Sequence, residues 1–311
     1  MPELKKLVCL KIGPKEGAYA IREATNIYKK LKQEIDFDGL ELRFNAVPDR
    51  VMGARGPPIK EMIQFVKQVR TDFGKDSVLY LHSSSYLVIN LANGRLDEDF
   101  LDMFDKLVVH KGVYEDIVAY KTHREIEKYR KTKFASRKVW TYWIPMLMSE
   151  FDSEYHGTSM DSLLENEPYL DTNMHQTHKE ALRRKCDKTF DVGHFMKSFY
   201  QPTERDPNIF SDHIGAYTKQ TGSGIVLNME YIKDLAANIS HCHVHGFDKE
   251  LFQDHIPFEQ KTSAVNRELI CKILANAKNL GSFTIELNPL FHNAMSVAKS
   301  MDYFQKTFCM R

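Results

Sequence analysis

The chain has 311 residues, 42% of them apolar, which suffices for a large globular core. Its 43 basic and 42 acidic residues nearly cancel, which excludes a global field for nucleic acid or anionic membrane and leaves only local basic faces. The five cysteines, Cys9, Cys186, Cys242, Cys271 and Cys309, are odd in number, scattered and without a CxxC pair. They predict reduced thiols rather than a disulfide framework.

In chain order, Leu7–Ile12 is a short β-type run stopped by Gly13-Pro14. Apolar residues recur at helical spacing from about Ala18 to Ile35, and Gly39–Phe44 then reads as a strand. A helix follows Pro57-Pro58, where proline suits a helix start. Further strands are expected at Val78–His82, Leu107–His110, Ile144–Glu150, Lys188–Asp191, Ile239–His245 and Ser282–Leu287. Helical patterns occupy about Ile117–Phe134, Asp161–Arg184, Met229–Ala237, Ser263–Asn279 and Ala294–Phe308.

Strand–helix alternation repeated about eight times, with no linker, implies parallel strands and crossover helices. The first strand lacks a Gly-rich phosphate fingerprint, so the expectation is a (β/α)8 TIM barrel, one domain over 1–311, rather than an open doubly wound sheet. Two long polar segments, about 151–169 and 195–222, follow predicted strands and are expected to wall a substrate cleft. The opening MPELKKLVCLKIG goes straight into a strand-like run, and no apolar stretch approaches the roughly 18–20 residues that span a bilayer. These features predict a cytoplasmic protein with no membrane partner.

The predicted strand ends carry the chemistry. His82, His110 and Glu150 end the third, fourth and fifth strands, and Asp191 ends the sixth with His194 three residues on. The seventh carries His243, followed by Asp254-His255, and the eighth carries Glu286. Alone, a strand-end histidine is more often a surface or hydrogen-bonded residue, and a strand-end carboxylate more often caps the next helix. Recurrence at successive strand ends favours a divalent-metal cluster, because imidazole and carboxylate are the donors zinc and manganese prefer. His241, His243 and His245 share one strand face and cannot all bind one ion, since the strand advances about 3.3 Å per residue. His243 is the expected ligand, His245 a contact to substrate or to a ligand, and His241 a hydrogen-bonded core histidine.

These residues resemble the endonuclease IV-like, xylose isomerase-like TIM-barrel superfamily. The carrying motifs are Phe37-Asp-Gly-Leu-Glu41, the segment from His82 to Asn90, Val109-His-Lys-Gly112 and Leu147-Met-Ser-Glu150. They continue with Phe190-Asp-Val-Gly-His194, His243-Val-His245, His255-Ile-Pro257 and Thr284-Ile-Glu286. His82 and His110 favour the endonuclease branch, which hydrolyses phosphodiesters at abasic sites in DNA repair. The resemblance implies two or three zinc ions, with manganese as the alternative. One would be held by His82, His110 and Glu150. A second would share Glu150 and take Asp191, His243 and Glu286, and a third would use His194, His255 and Asp254. Tyr86 and Leu87 would press into the DNA stack, with Lys111 and His245 at the substrate. This chain departs from the endonuclease pattern at Gln253, Lys111 and His245-Gly246. The alternative is a metal-dependent sugar or sugar-phosphate isomerase or epimerase using Glu150 and Glu286 as its acid/base pair. A third reading is a metal-binding scaffold without catalysis.

Overall fold

Leu7, Val8, Cys9, Leu10 and Ile12 are all buried, so strand β1 (Lys5–Ile12) has apolar cover on both faces, as parallel strands require. The computed structural model describes residues 3–14, 18–45, 47–49, 53–74, 77–82, 100, 103–110, 162–165, 187–198, 218–221, 224–227, 229–251, 253–263 and 265–309. These fall into two compact units. One comprises 5–164 with 180–187, the other 1–4, 165–179 and 188–311.

In the first unit, β1 pairs in parallel with β2 (Gly39–Phe44), and β2 with β5 (Val78–His82). Strand β5 in turn pairs with β6 (Lys106–His110). Helix α1 (Ile21–Glu34) buries Ala24, Tyr28 and Leu31, and α2 (Ile59–Phe73) buries Met62, Phe65, Val66 and Val69. Both sets follow the 3.6-residue period visible in the sequence. Gly39 has its own reason: a Cβ there would collide with the carbonyl of Val78 on the paired strand. At the end of α2 the Arg70 guanidinium donates to Met103 O (2.7 Å), Ser77 O (2.8 Å) and Asp105 Oδ2 (2.9 Å), tying the helix to the chain entering β6. A short antiparallel ribbon, β3 (Val47–Asp49) with β4 (Gly53–Arg55), lies between β2 and α2 in sequence.

The second unit is built on β8 (Asp187–Asp191), β11 (Ile239–Val244) and β14 (Ser282–Ile285), parallel in the order β8–β11–β14. Asp191 stands beside His243 in the first pairing, and His243 beside Thr284 in the second. Helix α3 (Val192–Ser198) leaves β8 directly, and α4 (Met229–Ala236) precedes β11. Asn238, at a φ of 61°, then turns the chain in the left-handed conformation asparagine tolerates. Asparagine side chains cap α5 (Arg267–Asn276) and α6 (Ala294–Phe304): Asn266 accepts from Leu269 N–H and Asn293 from Ser296 N–H. Phe258, Phe283, Phe304 and Phe308 pack as one aromatic cluster beneath α6. Two further ribbons are antiparallel: β9 (Thr218–Thr221) with β10 (Gly224–Leu227), and β12 (Gly246–Asp248) with β13 (Gln253–Ile256).

The expectation of a (β/α)8 TIM barrel is corrected here. The parallel registers describe four strands in one unit and three in the other, with short antiparallel ribbons besides. Alternating strand and helix patterns predict the parallel pairing, but the short ribbons and the stagger of the strands depend on contacts that local periodicity does not encode. Ser162–Glu165 (β7), expected to open a helix, is a strand, since a short apolar run reads equally well either way. Residues 195–198 and 218–221 are helix and strand rather than loop. The predicted strand 144–150 lies outside the described residues. Among the described residues, no helix is long and apolar enough to cross a membrane.

Phe304 has no exposed surface. Phe304→Ala should cost about 3–5 kcal/mol of stability in urea unfolding. A loss below about 1 kcal/mol would mean the aromatic cluster does not hold α6.

Candidate metal centre

Three strand ends and one ribbon of the second unit supply the polar cluster. Asp191 ends β8, and its Oδ1 accepts the backbone N–H of His194 at 2.6 Å, so the same carboxylate starts α3. His245 Nε2 lies 3.0 Å from Asp191 Oδ1 and 3.1 Å from Oδ2. His194 Nδ1 and His243 Nδ1 lie 3.4 and 3.6 Å from Oδ2. Three imidazoles thus surround one fully buried carboxylate.

Strand alternation sorts the histidines of β11. His241 bonds to Ser282 Oγ (2.8 Å) and Thr284 Oγ1 (3.1 Å), both on β14, as expected of a core histidine. His243, two residues on, reaches Glu286 Oε2 at 3.1 Å. Glu286 continues the ladder just past β14, its N–H donating to Val244 O at 3.2 Å.

The β12–β13 ribbon brings Asp254 and His255 over these strand ends. His255 adopts a φ of 56°, a left-handed conformation that is strained for a residue with a side chain. There its backbone nitrogen lies 3.0 Å from His245 Nδ1, and the two rings stack at 4.1 Å with 12° between their planes. His255 Nε2 lies 3.3 Å from Glu286 Oε1, and its Nδ1 lies 2.9 Å from Asp254 Oδ1. Lys197, on α3, donates to Asp254 Oδ2 at 2.7 Å. Gly193 explains the tightness: a Cβ there would fall within the His245 ring.

The electrostatics follow from these distances. Burial pushes the Asp191 carboxyl up, but His194, His245 and the hydrogen bonds from His243 and His245 outweigh it and hold it well below the usual carboxylate range. Asp254 behaves alike: burial opposes ionisation, while His255, His245 and Lys197 prevail and depress it. Burial favours the neutral form of His245, yet Asp191, Glu286 and Asp254 together raise it above its ordinary value.

Among the described residues of this unit, two overlapping triads can hold a cation. His194, His245 and His255 form one, Asp191, His245 and Glu286 the other, and within each the donor atoms lie within 4.8 Å of one another. Metal–ligand bonds of about 2.0–2.2 Å need this kind of spacing, and mixed imidazole and carboxylate donors match zinc. A single ring nitrogen serves one ion. With His245 in the imidazole triad, His243, close to both Asp191 and Glu286, completes the carboxylate set.

Of the residues singled out in the sequence, Asp191, His194, His243, His245, Asp254, His255 and Glu286 come together in this unit. His82 ends β5, buried, and His110 ends β6; both strands belong to the other unit. Glu150, Tyr86, Leu87 and Lys111 lie outside the described residues. Lys197 was not anticipated; its only sequence signal is a position three residues after His194 on the same helix.

No family model matches the chain, and no curated protein matches it. Solved structures of similar outline include the dihydropteroate synthase of Burkholderia cenocepacia complexed with 7,8-dihydropteroate, at 11% identity and a TM-score of 0.38, covering 98% of this chain and 91% of that one. The dihydropteroate synthase of Xanthomonas albilineans with 4-aminobenzoic acid matches at 8% identity and a TM-score of 0.40, with 98% and 92% covered. The structure titled AsfvAP:AG matches at 11% identity and a TM-score of 0.46, with 97% and 98% covered. At these values the likenesses assign neither activity nor ligand.

Gly193→Ala should displace the His245 ring and weaken zinc binding by at least about tenfold, as loss of ligand orientation does; calorimetric titration checks this, and unchanged affinity would exclude His245 as a donor. In chelator-treated protein the pH dependence has a set sign. A raised His245 stabilises the fold fully below its ordinary value of 6.5, and that contribution is lost as pH rises through the raised value. The depressed Asp191 and Asp254 stabilise above their ordinary 3.8, and this is lost as pH falls through their folded values. Thermal melts of the metal-free chain should therefore decline above about pH 6.5, and His245→Gln should flatten that decline.

Proposed function

We propose that this chain is a divalent-metal-dependent phosphodiester hydrolase acting on DNA at abasic sites, an endonuclease IV-like repair enzyme using zinc, with manganese as the alternative ion. The observation that carries the reading is the pair of adjoining donor sets within one buried cluster, Asp191–His243–Glu286 and His194–His245–His255. Two sets side by side suit in-line displacement at phosphorus, where adjoining ions would clamp the attacking and leaving oxygens. Glu286, the carboxylate an isomerase would use to move protons, is engaged by His243 and His255.

When bound, the ions would lower the pKa of water toward neutrality and neutralise charge on the phosphate oxygens. The protein's own groups do the holding. Asp191 and Glu286 bring negative charge among four neutral or cationic rings, and burial keeps bulk water from screening them. Asp191 also anchors α3, so a donor and the helix carrying His194 are positioned by one carboxylate. The resemblance would add His82, His110 and Glu150 as ligands of a further ion, and Tyr86, Leu87 and Lys111 as DNA contacts.

The test is a duplex oligonucleotide containing one abasic-site analogue. Zinc-loaded protein should cleave beside the analogue, chelator should abolish cleavage, and Asp191→Asn should lower the rate by more than the roughly 10–100-fold expected of an outer partner. Failure to cleave with zinc or manganese present would remove the DNA reading, and turnover of a sugar phosphate instead would support the isomerase.

A further inference from the structure

Asp254 is the residue that the resemblance offered as a third-ion ligand, yet its carboxylate is already engaged at both oxygens. Oδ1 lies 2.9 Å from His255 Nδ1, and Oδ2 lies 2.7 Å from the Lys197 ammonium. Asp254 Oδ2 is 4.0 Å from His194 Nε2, farther than the other carboxylate–imidazole contacts of the cluster. A carboxylate bonded to one ring nitrogen of a histidine sets that ring's tautomer and leaves the other nitrogen to face a metal. His255 meets that condition. With Nδ1 against Asp254, its Nε2 turns inward, toward Glu286 and the His194 and His245 donors.

We infer that Lys197 holds Asp254 against His255 as a positioning pair, so that His194, His245 and His255 form an all-imidazole site for a zinc-type ion, with Asp254 outside the ligand set. The inference rests on the metal-dependent reading above and specifies the donors of one ion. Three neutral nitrogens suit zinc and its transition-metal neighbours, whereas magnesium and calcium require oxygen ligands. The ribbon geometry supports the assignment independently. The left-handed backbone at His255 stacks its ring on that of His245, whose Nδ1 lies 3.1 Å from Gly246 O; a proton held there leaves His245 Nε2 to face a metal or Asp191. Lys197 extends from the same helix that carries His194, so helix and ribbon are fastened together beside the site.

The experiment is a zinc chloride titration of the full chain, stripped of metal, against a competing indicator, with the ions counted by elemental analysis. His194→Ala should remove one class of site. Lys197→Met and Asp254→Asn should keep the ion count and weaken that class about 10–100-fold, as loss of an orienting partner does, and Lys197→Arg should restore most of the affinity. Cobalt(II) loaded into Asp254→Asn should keep the visible absorption of the wild-type site, because its donors remain imidazole nitrogens, and excess magnesium chloride should not displace the ion. The outcomes separate cleanly. Tighter zinc binding in Lys197→Met, or loss of an ion in Asp254→Asn, would make Asp254 a ligand and overturn this inference alone. An unchanged affinity in both variants would do the same. Zinc binding with no class lost in His194→Ala would exclude the imidazole site while leaving metal dependence intact. Wild-type protein that binds no zinc would overturn both this inference and the hydrolase reading. Thermal melts of the metal-free variants identify misfolding, and should Lys197→Met not fold, Asp254→Asn and Lys197→Arg decide the question.

Discussion

A carboxylate fully withdrawn from water is costly unless it is paired, and Asp191 is where this chain meets that constraint. Its two oxygens face His194, His243 and His245 and accept the His194 N–H in the first turn of α3. Two of these partners come from the end of β11, some fifty residues on in the chain, and one from the start of α3, so the ends of β8 and β11 must agree in register for the charge to be satisfied. The same demand accounts for Gly193, where any side chain would enter the space of the His245 ring. It also accounts for the unbroken burial of β11, which keeps His241 and His243 away from solvent and forces each to find a partner within the protein.

The β12–β13 ribbon adds a second layer to the constraint. A left-handed histidine costs on the order of 1–3 kcal/mol, and such conformations persist where surrounding contacts over-determine them. At His255 those contacts are the approach of its backbone to His245, the ring stack, and the bracing of Asp254 by Lys197. The strain therefore lies in the residue that carries Nε2 toward the centre of the cluster. A site built this way is pre-organised, because its rings are oriented by bonds that do not depend on a ligand. Lys197 adds a positive charge beside the carboxylate of Asp254.

Much of the candidate site was legible before any coordinates. Asp191, His194, His243 and Glu286 each fall at or just beyond the end of a patterned apolar run, and strands of one parallel sheet place such ends at one edge. The core role of His241 was also readable, since a histidine two residues deeper in a buried strand has hydroxyls for neighbours. His245 was undervalued. It follows the last residue of β11, where alternation no longer says which way a side chain turns, and only Gly193 and the His255 turn direct it into the cluster. Lys197 was invisible for a related reason. A lysine one helical turn past a histidine is ordinary on a solvated face, and nothing in the pattern says that a distant Asp254 will meet it.

Local periodicity laid out the strands that pair in parallel and the longer helices, and it marked the imidazoles and carboxylates at the strand ends. These depend on periodicity within a few residues, and the burial of apolar faces enforces them locally. Tertiary packing alone set the registers of four parallel strands in one unit and three in the other. It also decided that His245 rather than His243 stacks on His255, and that Asp254 turns to Lys197. Those outcomes depend on strand stagger, on one left-handed turn and on the absence of a single Cβ, and such quantities are set by packing between segments far apart in the chain.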